Sequence, residues 1–179
     1  MDYNFVTSVF DLFQVDNTKY EIFVETGTLY GETISNMVNS FNELYTIEVS
    51  EDLHARFNRS NYNRDKINSI LGDSSEILKN LVPNLTKNTV FYLDGHYSSG
   101  ETAKGAKDVP LIEELDCIND YFKHEALIIV DDVRLFGTTT YEDWGEISKE
   151  KLLSRVSKRL VSFAEQSDRF IMKLKEILY

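Results

Sequence analysis

The sequence predicts a doubly wound α/β domain whose mostly parallel sheet is closed by an antiparallel hairpin. Three observations carry that expectation. β-rich apolar runs alternate with helical patterns from residue 20 onward, the signature of a parallel sheet covered on both faces. Five successive strands close on acids: Glu25, Glu48, Asp73, Asp94 and the pair Asp131-Asp132. Residues 159–175 read as two strands around the turn Gln166-Ser167-Asp168.

Each element follows from its pattern. Residues 3–14 carry apolar side chains at helical spacing and read as a leading helix. Strands are expected at 20–26, 43–50, 66–74, 88–96 and 125–133. Helices are expected at 33–41, 51–62, 75–82, 109–122 and 148–160. Asp108 and Pro110 mark the start of the helix at 109–122. The glycine-containing loop 97–108 separates the fourth strand from that helix. The whole is expected to be one domain: a leading helix to residue 19, a cofactor and catalytic core over 20–140, and a closing helix and hairpin over 141–179.

Composition narrows the function. The 179 residues fit a single domain, and 42% hydrophobic residues suffice for its core. No apolar run approaches the ~18 residues of a membrane span, so no membrane partner is expected. The N-terminus shows no secretory pattern, and the single cysteine, Cys117, rules out an internal disulfide. A reducing, cytoplasmic location is therefore expected. The formal net charge of −11 predicts no nucleic-acid partner, because phosphate binding needs clustered Lys and Arg. The basic stretch 149–159 reads as the solvated face of an amphipathic helix.

The first strand runs into Glu25-Thr26-Gly27-Thr28-Leu29-Tyr30-Gly31-Glu32-Thr33. The two glycines let a ligand approach the backbone, or simply make a tight connection. Glu25 decides what kind of ligand: a pyrophosphate sits badly against it, whereas an ammonium or sulfonium is attracted. The lysine of a P-loop is absent, as is the third glycine of a dinucleotide loop. Glu48, at the end of the second strand, can accept both hydroxyls of a ribose or can serve as a turn acid. Asp73 can accept an adenine amine or cap the helix after it.

The segments ETGTLYGET, YTIEVS, LGDSSEIL, FYLDGHYSSG and LIIVDDVRLFG together resemble the motif series of class I S-adenosylmethionine-dependent methyltransferases, over about residues 20–140. The resemblance implies a Rossmann-like, seven-stranded sheet. It also implies that Glu25 and Gly27 contact the methionine part, Glu48 the ribose, and Asp73 with Ser74 the adenine. Thr26, Thr28, Gly31, Thr33 and Asp94 complete the expected cofactor-binding set.

In that family's strand order, the fourth and fifth strand ends are neighbours. Asp94, Asp131 and Asp132 would then converge, at a high cost unless protonated or neutralised. Mg²⁺ or another divalent cation held by these three would neutralise them. Asp94-Gly95-His96 with Asp131-Asp132 resembles the Asp-Gly-Asp and Asp-Asp motifs of metal-dependent sugar O-methyltransferases, with His96 where those enzymes place a general base. A neutral His96 can take a hydroxyl proton with or without a metal, and Asp94 joins it as a catalytic residue.

The expected acceptor is a hydroxyl of a sugar or other small molecule, bound by Tyr97, Arg134 and Trp144. Trp144 and Phe136 could equally be core or homodimer-interface residues. The rival readings are a phenol or catechol O-methyltransferase, a non-catalytic S-adenosylmethionine-binding module, and an NAD oxidoreductase. The last predicts a third loop glycine and no acid at Glu25, and fails on both.

Overall fold

A computed structural model describes residues 1–60, 65–96, 107–140 and 142–177. The helices are α1 (Tyr3–Leu12), α2 (Glu32–Met37), α3 (Glu51–Ser60), α4 (Ser74–Leu81), α5 (Leu111–Tyr121) and α6 (Lys149–Val156). The strands are β1 (Tyr20–Thr26), β2 (Glu43–Glu48), β3 (Ile67–Leu71), β4 (Asn88–Leu93), β5 (Ala126–Val130), β6 (Leu160–Gln166) and β7 (Arg169–Leu174). They form one sheet in the order β3-β2-β1-β4-β5-β7-β6. β1 to β5 are mutually parallel, and β7 lies antiparallel between β5 and β6. This is the expected doubly wound α/β architecture with seven strands and a closing hairpin.

Alternation along the strands sorts the core into two layers. Ile22, Val24, Phe91, Ile128 and Val130 face the layer under α4, α5 and α6. Phe23, Val90, Tyr92, Leu127 and Ile129 face the layer under α1, α2 and α3. The hairpin turns on Ser167 and Asp168, both with positive φ, as a two-residue turn matched to strand twist requires.

Helices and strands are shorter than periodicity suggests. Helix α2 stops at Met37, and β3 spans five residues. Strand ends that looked extended in sequence are instead turns carrying acids. β4 ends at Leu93 and β5 at Val130, which leaves Asp94, His96, Asp131 and Asp132 in connections beyond the sheet. The register pairs Thr26 with Leu93 and Leu93 with Val130, so β1, β4 and β5 finish side by side. The reversal of strand order falls between β1 and β4, where ligands of such sheets bind.

Candidate active site

The β1 connection is built for close approach. Gly27 has φ +82°, and a Cβ there would stand 2.4 Å from the Asp94 carbonyl oxygen. Gly31, at φ +76°, begins α2 against the Phe57 ring, which a Cβ would strike at 2.3 Å. The turns after β1, β2, β3 and β4 together border a cleft lined by Gly27, Leu29, Glu48, Gly72, Ser74 and Asp94. A second cavity adjoins it, bordered by Glu25, Thr28, Glu32, Thr33 and Asp94.

Glu25 forms the floor of that second cavity and is only 2% exposed. Thr28 and Thr46 share a hydrogen bond of 2.6 Å, and the Thr46 hydroxyl donates to Glu25 Oε2 at 2.7 Å. Burial pushes the Glu25 carboxyl up to about 8 despite that bond. Glu48 is buried too. Its two oxygens accept from the backbone N–H groups of Leu29 and Ser50, each at 2.9 Å. The turn role and a place in the cleft wall therefore coexist. Each oxygen keeps a lone pair for a ligand hydroxyl. Asp73 caps α4, accepting from the Ser75 N–H at 2.9 Å and the Ser75 hydroxyl at 2.6 Å. Gly72 and Ser74, on either side of it, reach the cleft.

Beside the cleft stands a cage around His96. Its Nδ1 lies 2.8 Å from Glu142 Oε2, and its Nε2 lies 2.9 Å from Asp132 Oδ2 and 3.5 Å from Asp94 Oδ1. Burial opposes charge on the ring, but hydrogen bonds to Asp132 and Asp94 outweigh it and hold the ring protonated up to about 10. A carboxylate faces each ring nitrogen, an arrangement that favours the imidazolium over the neutral imidazole expected from sequence. Burial raises the Asp94 carboxyl above its ordinary value, while its bond to His96 pulls the other way. The His96 bond is the first cause holding Asp132 low.

The paired acids after β5 part company. Asp132 sits at φ +61°, a left-handed conformation that aspartate tolerates better than most residues. Its carboxylate turns toward His96 and Arg134. Asp131 instead accepts from the Tyr92 hydroxyl and from Arg169 Nη2, the latter at 3.2 Å. The expected cation site of Asp94, Asp131 and Asp132 is thus redrawn. The ligand atoms lying within 4.8 Å of one another belong to Asp94, His96 and Asp132, among the described residues.

The expected acceptor residues are also rearranged. Trp144 is 3% exposed and stacks on Phe136 with ring centroids 5.9 Å apart. Its indole N–H donates to Glu142 Oε2 at 2.7 Å, and its edge meets His96. It is a supporting wall rather than an open platform for a sugar. Arg134, with a side chain 61% exposed, bridges Asp132 and Asp168 at the rim. Tyr97 lies outside the described residues.

Two acids escaped sequence reading. Glu142 lies in the irregular 142–147 segment, where no periodicity singles it out. Glu114 did leave a signal, as an acid on the apolar stripe Leu111, Leu115, Ile118 of α5. It is 1% exposed and accepts from the Ser74 hydroxyl at 2.5 Å. Burial pushes it up to about 7 against the hydrogen bonds from Ser74 and Thr26.

No family model and no curated protein matches the chain. Solved structures do match. A fibrillarin pre-rRNA processing protein of Methanococcus jannaschii aligns at TM-score 0.58 and 14% identity, over 88% of this chain and 67% of that one. An rRNA methylase of Streptococcus thermophilus aligns at TM-score 0.54 and 13% identity, over 89% of each. A Streptococcus mutans chain solved in complex with SAH aligns at TM-score 0.56 and 14% identity, over 89% and 90%. At such identities the likeness shows the fold, and it is the Rossmann-like fold of S-adenosylmethionine-dependent methyltransferases.

One expectation falls here. The exclusion of a nucleic-acid partner does not stand, since chains of this fold include an rRNA methylase and a pre-rRNA processing protein. The physical reason is that a net charge summed over the whole chain says little about any one face. Among the described residues, no helix is long and apolar enough to cross a membrane.

Proposed function

We propose that this chain is an S-adenosylmethionine-dependent methyltransferase that delivers the methyl group to a hydroxyl oxygen. One observation carries the reading. The cleft and the cavity beside it are walled by Glu25, Glu48, Glu32 and Asp94 and, among the described residues, by no lysine or arginine; His96, the one basic group in the wall, is itself faced by Asp94, Asp132 and Glu142. Such walls suit a ligand bearing an ammonium and a sulfonium and repel a polyphosphate. The glycine cradle fits that ligand, because a side chain at Gly27 would fill the passage between the turns. Glu25 would meet the ammonium, Glu48 the ribose diol, and Ser74 with Gly72 the adenine.

The chemistry is a single displacement. The oxygen of the acceptor hydroxyl forms the new bond to the methyl carbon. The S–CH₃ bond breaks, and its electron pair stays on sulfur as a neutral thioether. The hydroxyl proton goes to Asp94, whose raised pKa makes it a stronger base than an ordinary carboxylate. His96, charged and held by Glu142 and Asp132, stabilises the charged form of Asp94 and aims it. Orientation of the two reactants supplies much of the barrier reduction. Sugar hydroxyls remain the finer proposal for the acceptor, with Arg134 at the rim as a hydrogen-bond donor.

The test is transfer of labelled methyl from S-adenosylmethionine to a panel of glycans, nucleotide sugars, catechols and RNA. Product labelled on oxygen in any arm supports the reading and names the acceptor class; label on nitrogen or carbon would contradict the hydroxyl assignment, and binding of the donor with no transfer to any arm would favour a non-catalytic module. A pH–rate profile then assigns the base. With Asp94 as acceptor, the rate levels off well below pH 10. A rate climbing about tenfold per pH unit toward that value would hand the step to His96.

The cluster of Asp94, His96 and Asp132 supports a second reading, in which a divalent cation assists. Two carboxylates and one imidazole fit Mn²⁺ or Zn²⁺ better than Mg²⁺, which prefers oxygen donors throughout. A bound cation would acidify the acceptor hydroxyl. Full activity in a strong chelator, after dialysis, would exclude this reading; loss restored by Mn²⁺ would establish it.

A further inference from the structure

A carboxylate buried on the apolar stripe of a helix is costly unless something requires it. Leucine or methionine at position 114 would continue the stripe of Leu111, Leu115 and Ile118 that α5 packs into the core. Glu114 instead accepts hydrogen bonds from two hydroxyls. The Ser74 hydroxyl donates to its Oε1 at 2.5 Å, and the Thr26 hydroxyl donates as well. Thr26 Oγ1 itself accepts the Asp94 N–H at 3.2 Å, so its proton is free to point at Glu114. Gly95 packs on the same pair; a Cβ there would be 3.0 Å from Thr26 Oγ1 and 3.1 Å from Glu114 Oε1. One buried carboxylate thus ties the ends of β1 and β4 to the first residue of α4, from directly behind the cleft wall.

This fixes what Ser74 can offer. A serine hydroxyl has one proton and two lone pairs. Ser74 lines the cleft, and its proton is committed to Glu114 when that carboxyl is ionised, as it is at pH 8. Anything reaching Ser74 from the cleft therefore meets an acceptor. We propose that Glu114 is a specificity-determining positioning residue that makes Ser74 an obligate acceptor, so that the cleft selects a base carrying an exocyclic amine over one carrying a carbonyl. The inference rests on the proposed function, with the adenosine of the methyl donor occupying the cleft. An adenine amine donates to Ser74. The 6-carbonyl of hypoxanthine would face a lone pair and leave both oxygens unsatisfied, the kind of mismatch that discriminates strongly.

The experiment measures calorimetric affinities of S-adenosylhomocysteine and S-inosylhomocysteine for the full chain at pH 8. The wild-type protein should prefer the adenosyl compound by about tenfold or more. Glu114→Met releases the Ser74 proton and should bring the two affinities within about threefold of each other, with an unchanged cooperative melt. Ser74→Ala spares the buried carboxylate and should lose the preference too. An intact preference in folded Glu114→Met or in Ser74→Ala overturns the proposal. Equal binding of both compounds to the wild type also overturns it and leaves the methyl-donor reading standing. If neither compound binds the wild type, the methyl-donor reading has failed and takes this inference with it.

Discussion

At the scale of single residues, the account depends on where carboxylates are allowed to sit. Gly27 can be tested first. Alanine there would adopt an unfavourable φ and drive its Cβ into the Asp94 carbonyl. Gly27→Ala should cost about 1–3 kcal/mol of stability and lower donor affinity by far more than a conservative surface change, as read by urea unfolding and calorimetry. His96 is the second test. Because it lines the cleft next to Asp94, away from Glu25 and Glu48, and is held by Glu142 and Asp132, His96→Ala should leave donor affinity within about tenfold and cut turnover by about 10²–10⁴. Normal turnover in that variant would remove the cage from the mechanism. The sequence disclosed Glu25, Glu48, Asp94 and His96 because each stands at or just beyond the end of an apolar strand. It could not disclose that Asp131 and Asp132 point apart, since that depends on one left-handed φ. Nor could it disclose the charge on His96, which depends on Asp132 and Asp94 turning their carboxylates to one ring nitrogen, with Glu142 facing the other from 46 residues away.

At the scale of elements, the sheet was legible because apolar alternation and strand-closing acids recur in step. The strand ends were less so. Apolar runs overestimate strand length when the next residues turn out to be cleft walls, as at Leu93 and Val130. The junction of α5, α6 and the hairpin was not legible at all. There the buried Arg159 donates to the carbonyls of Ile118, Asn119, His124 and Lys175. In sequence it looks like one more charge on a basic helix. Its guanidinium makes five hydrogen bonds to those four carbonyls, the one to Ile118 fully buried. Arg159→Met should therefore destabilise the fold by about 2–4 kcal/mol in chemical denaturation. Lysine should not restore it, because an ammonium lacks the planar fork. A loss below about 0.5 kcal/mol would show that the junction does not depend on this arginine.

At the scale of the whole molecule, the buried acids set a pH dependence. Glu25 and Glu114 are raised from 4.5 to about 8 and about 7. Between pH 4.5 and those values the folded chain holds protons that the unfolded chain releases. Stability therefore falls as pH rises through that window. Self-repulsion of a chain with net charge −11 acts in the same direction. The ligand-free protein should melt at a lower temperature at pH 8 than at pH 5, and Glu25→Gln should flatten the slope. A melting temperature that rises across this range would contradict the assignment of these two carboxyls.

The same arithmetic yields the most direct test of the cationic-ligand cleft. S-adenosylhomocysteine carries an ammonium group but no phosphate. Its arrival beside Glu25 must favour the ionised carboxyl, so binding at pH 7 should release a proton into buffer. Calorimetry in two buffers of different ionisation enthalpy, with NAD as the comparison ligand, reads affinity and proton release together. The account predicts binding of S-adenosylhomocysteine with net proton release that disappears in Glu25→Gln, and no binding of NAD. Binding of NAD in its place, or no binding of S-adenosylhomocysteine, would contradict it.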